Sequence, residues 1–333
     1  MEPKQAPITI AIIGGGIGGV SLAIGLLHQS NPLDVHIYEA APQFSEIGAG
    51  VSFGPNSLRA MHLISPAIRA AFEKLKTKNH DPENQETWMN VRPGTREGGW
   101  VKEGGEAEEK WLGNDLLCKI QSSDDEKTGL SSVHRTHFLH ELVKLLPAGV
   151  AHAGHRLVHL HPQPNNTIKL EFAHNATAYA DAVIGADGVR SRVRQLLFSR
   201  ATDTEDLVFS GKYAYRGLVE MERARSVLGS YAARNCQMHV GNGAYIFHYP
   251  IDRGRLINVI AVRGLEGGWR HKRWVLQREK EEMMGEFEGF SVMARGVLSV
   301  SRVLFIFTLP LLCTCIERNF NLLPFHPLLD FAL

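Results

Sequence analysis

The chain has 333 residues, 44% hydrophobic and 21% charged, which excludes a disordered polar chain and leaves room for one large domain or two interleaved ones. Lysine and arginine total 36 against 35 acidic residues, so the formal net charge is +1 and no basic excess offsets a phosphate backbone; nucleic acid is not an expected partner. Cys118, Cys236, Cys313 and Cys315 are too few and too scattered for a disulfide framework, which points to a reducing, cytoplasmic setting.

The polar stretch Met1 to Pro7 lacks the basic and apolar regions of a secretory signal. Ile8 to Ile13 is a short apolar run and reads as a buried strand. A glycine cluster follows, then helix-like Val20 to Gln29, broken by Asn31-Pro32, and a second strand from Val35 to Tyr38. This β-α-β beginning predicts a nucleotide-binding α/β layer. From Pro93 to Thr128 glycines and acidic residues dominate, and the segment reads as an exposed excursion, although Trp88, Trp100 and Trp111 suggest that parts of it pack down. Ser131 to Leu146 has helical periodicity, and Ala182 to Ala186 reads as another buried strand. Tyr213 to Val219, Gln237 to Val240, Tyr245 to Tyr249 and Leu256 to Val262 are strand-like and predict a β-sheet inserted into the nucleotide-binding unit. Val303 to Ile316 is nearly all apolar, with Pro310 in its middle. It falls short of the roughly 20 residues a spanning helix needs, so a buried or poorly folded terminus is the expectation, with a membrane anchor left open.

Gly14, Gly16 and Gly19 satisfy G-x-G-x-x-G between strand and helix. The first glycine permits the tight turn, the second admits a pyrophosphate to the backbone, and the third lets helix pack on strand. The helix N-terminus then offers N–H groups to phosphate oxygens. Glu39, at the end of the second strand, is placed to accept hydrogen bonds from an adenosine ribose and to repel a 2′-phosphate, which favours FAD or NAD over NADP at this site. A glycine-rich turn without a ligand is the alternative.

Gly185-Ala186-Asp187-Gly188-Val189-Arg190-Ser191-Arg192 places an Asp-Gly between a strand and a new helix. Alone it could be a turn and a cap. Together with the glycine motif it strongly resembles the Asp-Gly motif of class A flavoprotein monooxygenases, where it supports the flavin and the transient approach of the nicotinamide. Glu46 to Asn56, with Gly50 and Ser52, resembles that family's loop beside the flavin, and His134-Arg135-Thr136-His137 resembles its segment whose arginine contacts FAD. Tyr213 to Leu218 and Tyr245 to Ile251 resemble the substrate strands of the fungal salicylate-hydroxylase-like branch, with Arg216 and Tyr249 at the positions that face substrate and flavin. The bland alternatives are a core tyrosine and a surface ion-pair partner.

The resemblance covers about residues 8 to 290. It implies a p-hydroxybenzoate-hydroxylase-like α/β fold: a Rossmann-like FAD-binding domain over 1–205 with the excursion at 93–128, an interleaved β-rich substrate domain over 206–290, and an atypical apolar tail over 291–333. The family's later Gly-Asp segment has no match in that tail, which reads as an early ending. The resemblance further implies FAD as cofactor, NAD(P)H as co-substrate, O₂, and hydroxylation of a small phenolic or aromatic-acid substrate through a flavin C4a-hydroperoxide, with a place in secondary metabolism. Arg216 and Tyr249 would be catalytic; Gly14, Gly16, Gly19, Glu39, Gly50, Ser52, Arg135 and Asp187 would hold the cofactor. A catalytically silent truncated paralogue and an NAD-dependent dehydrogenase are the alternatives. His134, His137 and His140, or His152 with His155, lack a completing ligand shell, so no metal is expected.

Overall fold

The computed structural model describes residues 7–44, 49–95, 115–121, 128–198, 208–271, 273–301 and 305–311. Strand β1 (Ile8–Ile13) is buried from Ile10 onward. Helix α1 (Ile17–Leu27) packs Val20, Ala23 and Ile24 beside it, and β2 (Leu33–Tyr38) runs parallel to β1 in the register Ile8 to Leu33. A strand flanked by parallel neighbours and covered by a helix needs apolar residues at successive positions, which is why Ile8 to Ile13 shows a run rather than an alternation.

β3 (Gly50–Ser52) follows, then helices α2 (Pro55–Ile64) and α3 (Pro66–Leu75), each with proline in its first turn; Ser65 caps α3 by accepting the Ala67 N–H. Next come β4 (Thr87–Pro93), β5 (Cys118–Gln121), β6 (Ser132–His134) and helix α4 (Arg135–Val143). The helix expected from Ser131 therefore begins only at Arg135. Ser132 to His134 pair instead with Gly50 to Ser52, and the Ser132 hydroxyl is tied to the Pro250 carbonyl, so tertiary pairing overrides the apolar spacing.

β7 (Ala151–His152) extends the β2 edge, and β8 (Leu157–Pro162), β9 (Ile168–Phe172) and β10 (Thr177–Ala180) form an antiparallel three-stranded sheet. β11 (Ala182–Gly185) then returns alongside β1, completing a parallel sheet ordered β11-β1-β2-β7, and leads into helix α5 (Arg192–Phe198).

The second large sheet has eight strands. β12 (Val208–Glu220) is followed by helix α6 (Met221–Arg234), β13 (Gln237–Gly241), β14 (Ala244–Ile251), β15 (Leu256–Gly264), β16 (Val275–Gln277), helices α7 (Lys280–Glu286) and α8 (Val292–Val300), and β17 (Phe305–Leu311). The order is β16-β17-β12-β15-β14-β13-β4-β5, so β4 and β5 from the first half of the chain complete it. Side chains alternate across the pleat. Tyr213, Tyr215 and Val219, Ala244 and Ile246, and Ile257, Val259 and Ala261 pack under α6 and α8 with Leu228, Ala232, Val297 and Leu298. The opposite face carries Arg216 and Leu218, Phe247 and Tyr249, and Asn258 and Ile260, interleaved with those positions along the same strands.

This interleaved α/β architecture is the one the sequence implies. The sheet draws on residues before 205, and the unit continues past 290: Ala294, Val297, Leu298 and Val300 are buried in its core, and Phe305–Leu311 pairs with β12. Pro310 falls beyond a register shift in that pairing, where a missing N–H is tolerated. The rest of the apolar run 303–316, most of the 93–128 excursion including Trp100 and Trp111, and the tail after 311 lie outside the described residues. Among the described residues no helix is long and apolar enough to cross a membrane.

Candidate active site

The glycine motif forms a tight cradle. Gly14 has φ +109° and donates its N–H to the Tyr38 carbonyl at 2.9 Å. A Cβ on Gly14 would lie 2.3 Å from the Ala186 oxygen, and one on Gly19 would lie 2.0 Å from the Gly14 oxygen. Gly16 stands at the N-cap of α1, so the N–H groups of the first helical turn have no partner within the helix. Glu39 anchors the loop: its two carboxylate oxygens accept the N–H groups of Gly15 and Ala41, each at 2.7 Å. A carboxylate has about four lone-pair positions, so this leaves acceptor capacity for a ligand hydroxyl.

The Asp-Gly turn abuts this cradle through its backbone. Gly14 packs so closely on Ala186 and the Asp187 Cα that no side chain fits between them. The Asp187 carboxylate itself points back into its own turn. It accepts the Ser191 hydroxyl at 2.6 Å and the N–H groups of Arg192 at 2.6 Å and Val193 at 3.2 Å, capping the short α5. The local reading of this segment as a cap and a turn thus describes the carboxylate, while its backbone shapes the cradle.

Strand β3 links this end to the eight-stranded sheet. Val51 and Phe53 pack in the same cluster as Ile17 and Val20, while the Gly50 N–H donates to the Asn258 side-chain oxygen at 3.0 Å. Ser52 lies opposite Ser132, and the Arg135 N–H donates to the Ala49 carbonyl at 3.0 Å. Arg135 is exposed at the first position of α4, where the helix dipole disfavours a cation. Its charge reaches Arg216, whose guanidinium is held below its ordinary pKa by burial first; Tyr249 opposes this, and Arg135 lowers it further. Tyr249 is 2% exposed. Burial pushes its phenol well above the ordinary value; Arg216 and Asn258 draw it back, and Cys236 adds to the rise.

The structure therefore brings Arg216, Tyr249 and Arg135 together beside Gly50, and separately brings Gly14, Gly16, Gly19, Glu39 and the Asp187 turn together. Around Tyr249 stand the half-buried apolar side chains Leu218, Met238, Phe247 and Ile260. Sequence reasoning missed Asn258. It is 1% exposed and sits opposite Tyr249 in register. The available signal was a lone amide within the apolar strand Leu256 to Val262.

No family model matches the chain. A 6-methylsalicylate 1-monooxygenase of Aspergillus terreus is 41% identical over 296 residues, covering 88% of this chain and 62% of the relative. An FAD-dependent monooxygenase of Aspergillus niger, azaH, is 38% identical over 296 residues, covering 88% and 65% respectively. The chain thus spans less than two thirds of the length of these curated relatives. A salicylate hydroxylase solved as a substrate complex superposes with a TM-score of 0.72 at 26% identity, covering 92% of this chain and 69% of that one.

Proposed function

We propose that the chain belongs with the FAD-dependent monooxygenases and salicylate hydroxylases it matches and that it serves hydroxylation of a phenolic or aromatic-acid substrate. FAD is the cofactor in this reading, with NAD(P)H and O₂ as co-substrates. One oxygen atom enters the ring, and the other leaves as water with the electrons of NAD(P)H. The fungal relatives favour a place in secondary metabolism, and the substrate class they suggest is a salicylate-type ring bearing carboxylate and phenol groups.

The residues present suit the cofactor. The cradle that a Cβ would fill at Gly14 and Gly19 admits a pyrophosphate to the start of α1, and Glu39 keeps acceptor capacity for a ribose hydroxyl. Gly50, Ser52 and Arg135 would lie along the isoalloxazine end. Bound flavin supplies the activation of O₂, and the protein supplies orientation and exclusion of water. In this reading residues 1–205 contribute most of the cofactor site, and the eight-stranded sheet presents the substrate face. Arg216 would hold the substrate carboxylate or phenolate; an anion there also relieves the repulsion between Arg216 and Arg135. Tyr249 would hydrogen-bond the ring oxygen, and Leu218, Met238, Phe247 and Ile260 would pack the ring.

The observation that carries this reading is the placement of Arg216 and Tyr249 together on the half-open apolar face next to Gly50. The test is a visible-spectrum titration with FAD, followed by NAD(P)H oxidation and product analysis with salicylate and 6-methylsalicylate. A bound-flavin spectrum with substrate-stimulated, hydroxylating turnover supports it. A flavin-loaded chain that hydroxylates no ortho-hydroxybenzoate removes the substrate assignment, and a chain that stays colourless removes the whole reading.

A further inference from the structure

A cleft of about 390 Å³ lies away from the Arg216–Tyr249 face, between the segment after α3, the end of α6 and the β14–β15 turn. Its size is within the roughly 300–1,000 Å³ of small-ligand sites. Lys76, Lys78, His80, Arg234 and Arg253 line it, and no Asp or Glu does. Lys76 pairs with Glu73. Lys78, Arg234 and Arg253 have no carboxylate partner among the described residues. Three uncompensated cations around one cavity repel one another, and an anion seated between them reverses the sign of that energy.

Two of the cations are held in place. Arg253 has φ +56° and follows Asp252 at φ +52°, a left-handed pair without glycine. Such backbone is strained and concentrates at functional sites. Its N–H donates to the Thr77 hydroxyl at 2.8 Å and its guanidinium to the Lys74 carbonyl at 3.1 Å. Arg234 donates to His80 Nδ1 at 2.6 Å, and the His80 N–H returns to the Arg234 carbonyl. The floor is fixed as well: Asn79 donates to the carbonyls of Asn84 and Thr87 and accepts from the Cys236 N–H. Prearranged guanidinium and ammonium donors in a lining without Asp or Glu match the several oxygens and double charge of a phosphate monoester.

We infer that this cleft binds a phosphate monoester dianion. The group comes either from the 2′-phosphate of NADPH, a source that rests on the co-substrate reading above, or from a free phosphate or other phosphorylated small molecule. Pro250 lines the cleft and adjoins Tyr249 in the chain.

The test is calorimetric titration of the full chain at low salt with inorganic phosphate, 5′-AMP and 2′,5′-ADP, repeated on Lys78→Glu and Lys78→Arg. Lys78 is exposed, so both variants keep the fold. Saturable binding is expected, weakened at least tenfold in Lys78→Glu and retained in Lys78→Arg. Binding of a nucleotide at the glycine cradle is common to all three proteins and drops out of the comparison. 2′,5′-ADP at least tenfold tighter than the other two probes identifies the NADPH phosphate; similar affinity for 2′,5′-ADP and inorganic phosphate identifies the free anion. Absence of saturable phosphate binding, or equal affinity in Lys78→Glu, overturns the site. A failure to bind FAD in the visible titration leaves the inorganic-phosphate result standing, so the two readings fail separately.

Discussion

The Gly50 N–H donates to the Asn258 side-chain oxygen at 3.0 Å across a contact so close that a Cβ on Gly50 would lie 2.7 Å from the Asn258 Cβ. This one bond joins the loop strand β3 to the middle of the eight-stranded sheet, directly opposite Tyr249. Asn258→Leu leaves a buried N–H unpaired, which costs about 1–3 kcal/mol. The expected result is a lower unfolding midpoint together with weaker FAD binding. An unchanged midpoint would detach this contact from the stability of the site.

Gly19→Ala drives a methyl group to 2.0 Å from a backbone oxygen that has no side-chain freedom to yield. The helix start must shift, and FAD affinity is expected to fall by tenfold or more, read from the visible titration. Gly18, where a Cβ meets nothing within 4 Å, is the control: Gly18→Ala should retain the fold. Equal FAD affinity in wild type and Gly19→Ala would show that the cradle does not carry the pyrophosphate.

Arg216→Ala is expected to lower kcat/KM for a salicylate-type substrate by about a hundredfold, the scale of one lost charge-assisted contact at about 1.4 kcal/mol per decade. FAD affinity should change far less. Tyr249→Phe should act mainly on kcat and shift its pH dependence, because it removes the hydroxyl that meets the ring oxygen. Loss of FAD binding with unchanged turnover per bound flavin would move Arg216 from substrate to cofactor.

Acid should destabilise the fold through two histidines between β13, β14 and α6. His239, buried beside His248 and Arg92, is held down to about 3, and His248, also by burial first, to about 4. The folded state refuses protons that the unfolded chain accepts below about pH 6.5. Stability is therefore independent of these groups above that pH and falls as pH drops through the window from 6.5 to about 4 and 3. The slope is about 1.4 kcal/mol per pH unit for each histidine. Urea midpoints at pH 7 and 5 measure it, and His239→Gln should remove about half of the slope. A midpoint that does not move between those pH values would mean the imidazoles titrate normally.

Much of the fold was legible because each signal was local. The apolar run Ile8 to Ile13, the glycines after it and Glu39 lie within one β-α-β unit, and the structure keeps them together. The alternation on β12, β14 and β15 likewise shows which side chains share a face. Other features depended on partners distant in sequence. Ser132 to His134 looked helical because nothing nearby reveals Gly50 to Ser52 as their partner. Asn258 carried no motif, since its role is defined only by the glycine it touches. Asp187 was legible by position, yet the direction of its carboxylate, toward Ser191 and Arg192, depends on the helix start it caps.

The placement of β4 beside β13 has a consequence for how the chain acquires its shape. Arg92 on β4 and Gln237 on β13 are bonded at a sequence separation of 145, and Thr9 and Asp181 at a separation of 172. During synthesis β1 and β4 each emerge long before one of the two strands that flank them, β11 and β13 respectively. Pairings between such distant segments form slowly, since the chain loses loop entropy before any contact rewards it. Until β13 arrives, β4 presents an unpaired edge, and that interval is when the nascent chain is most prone to associate with other copies of itself.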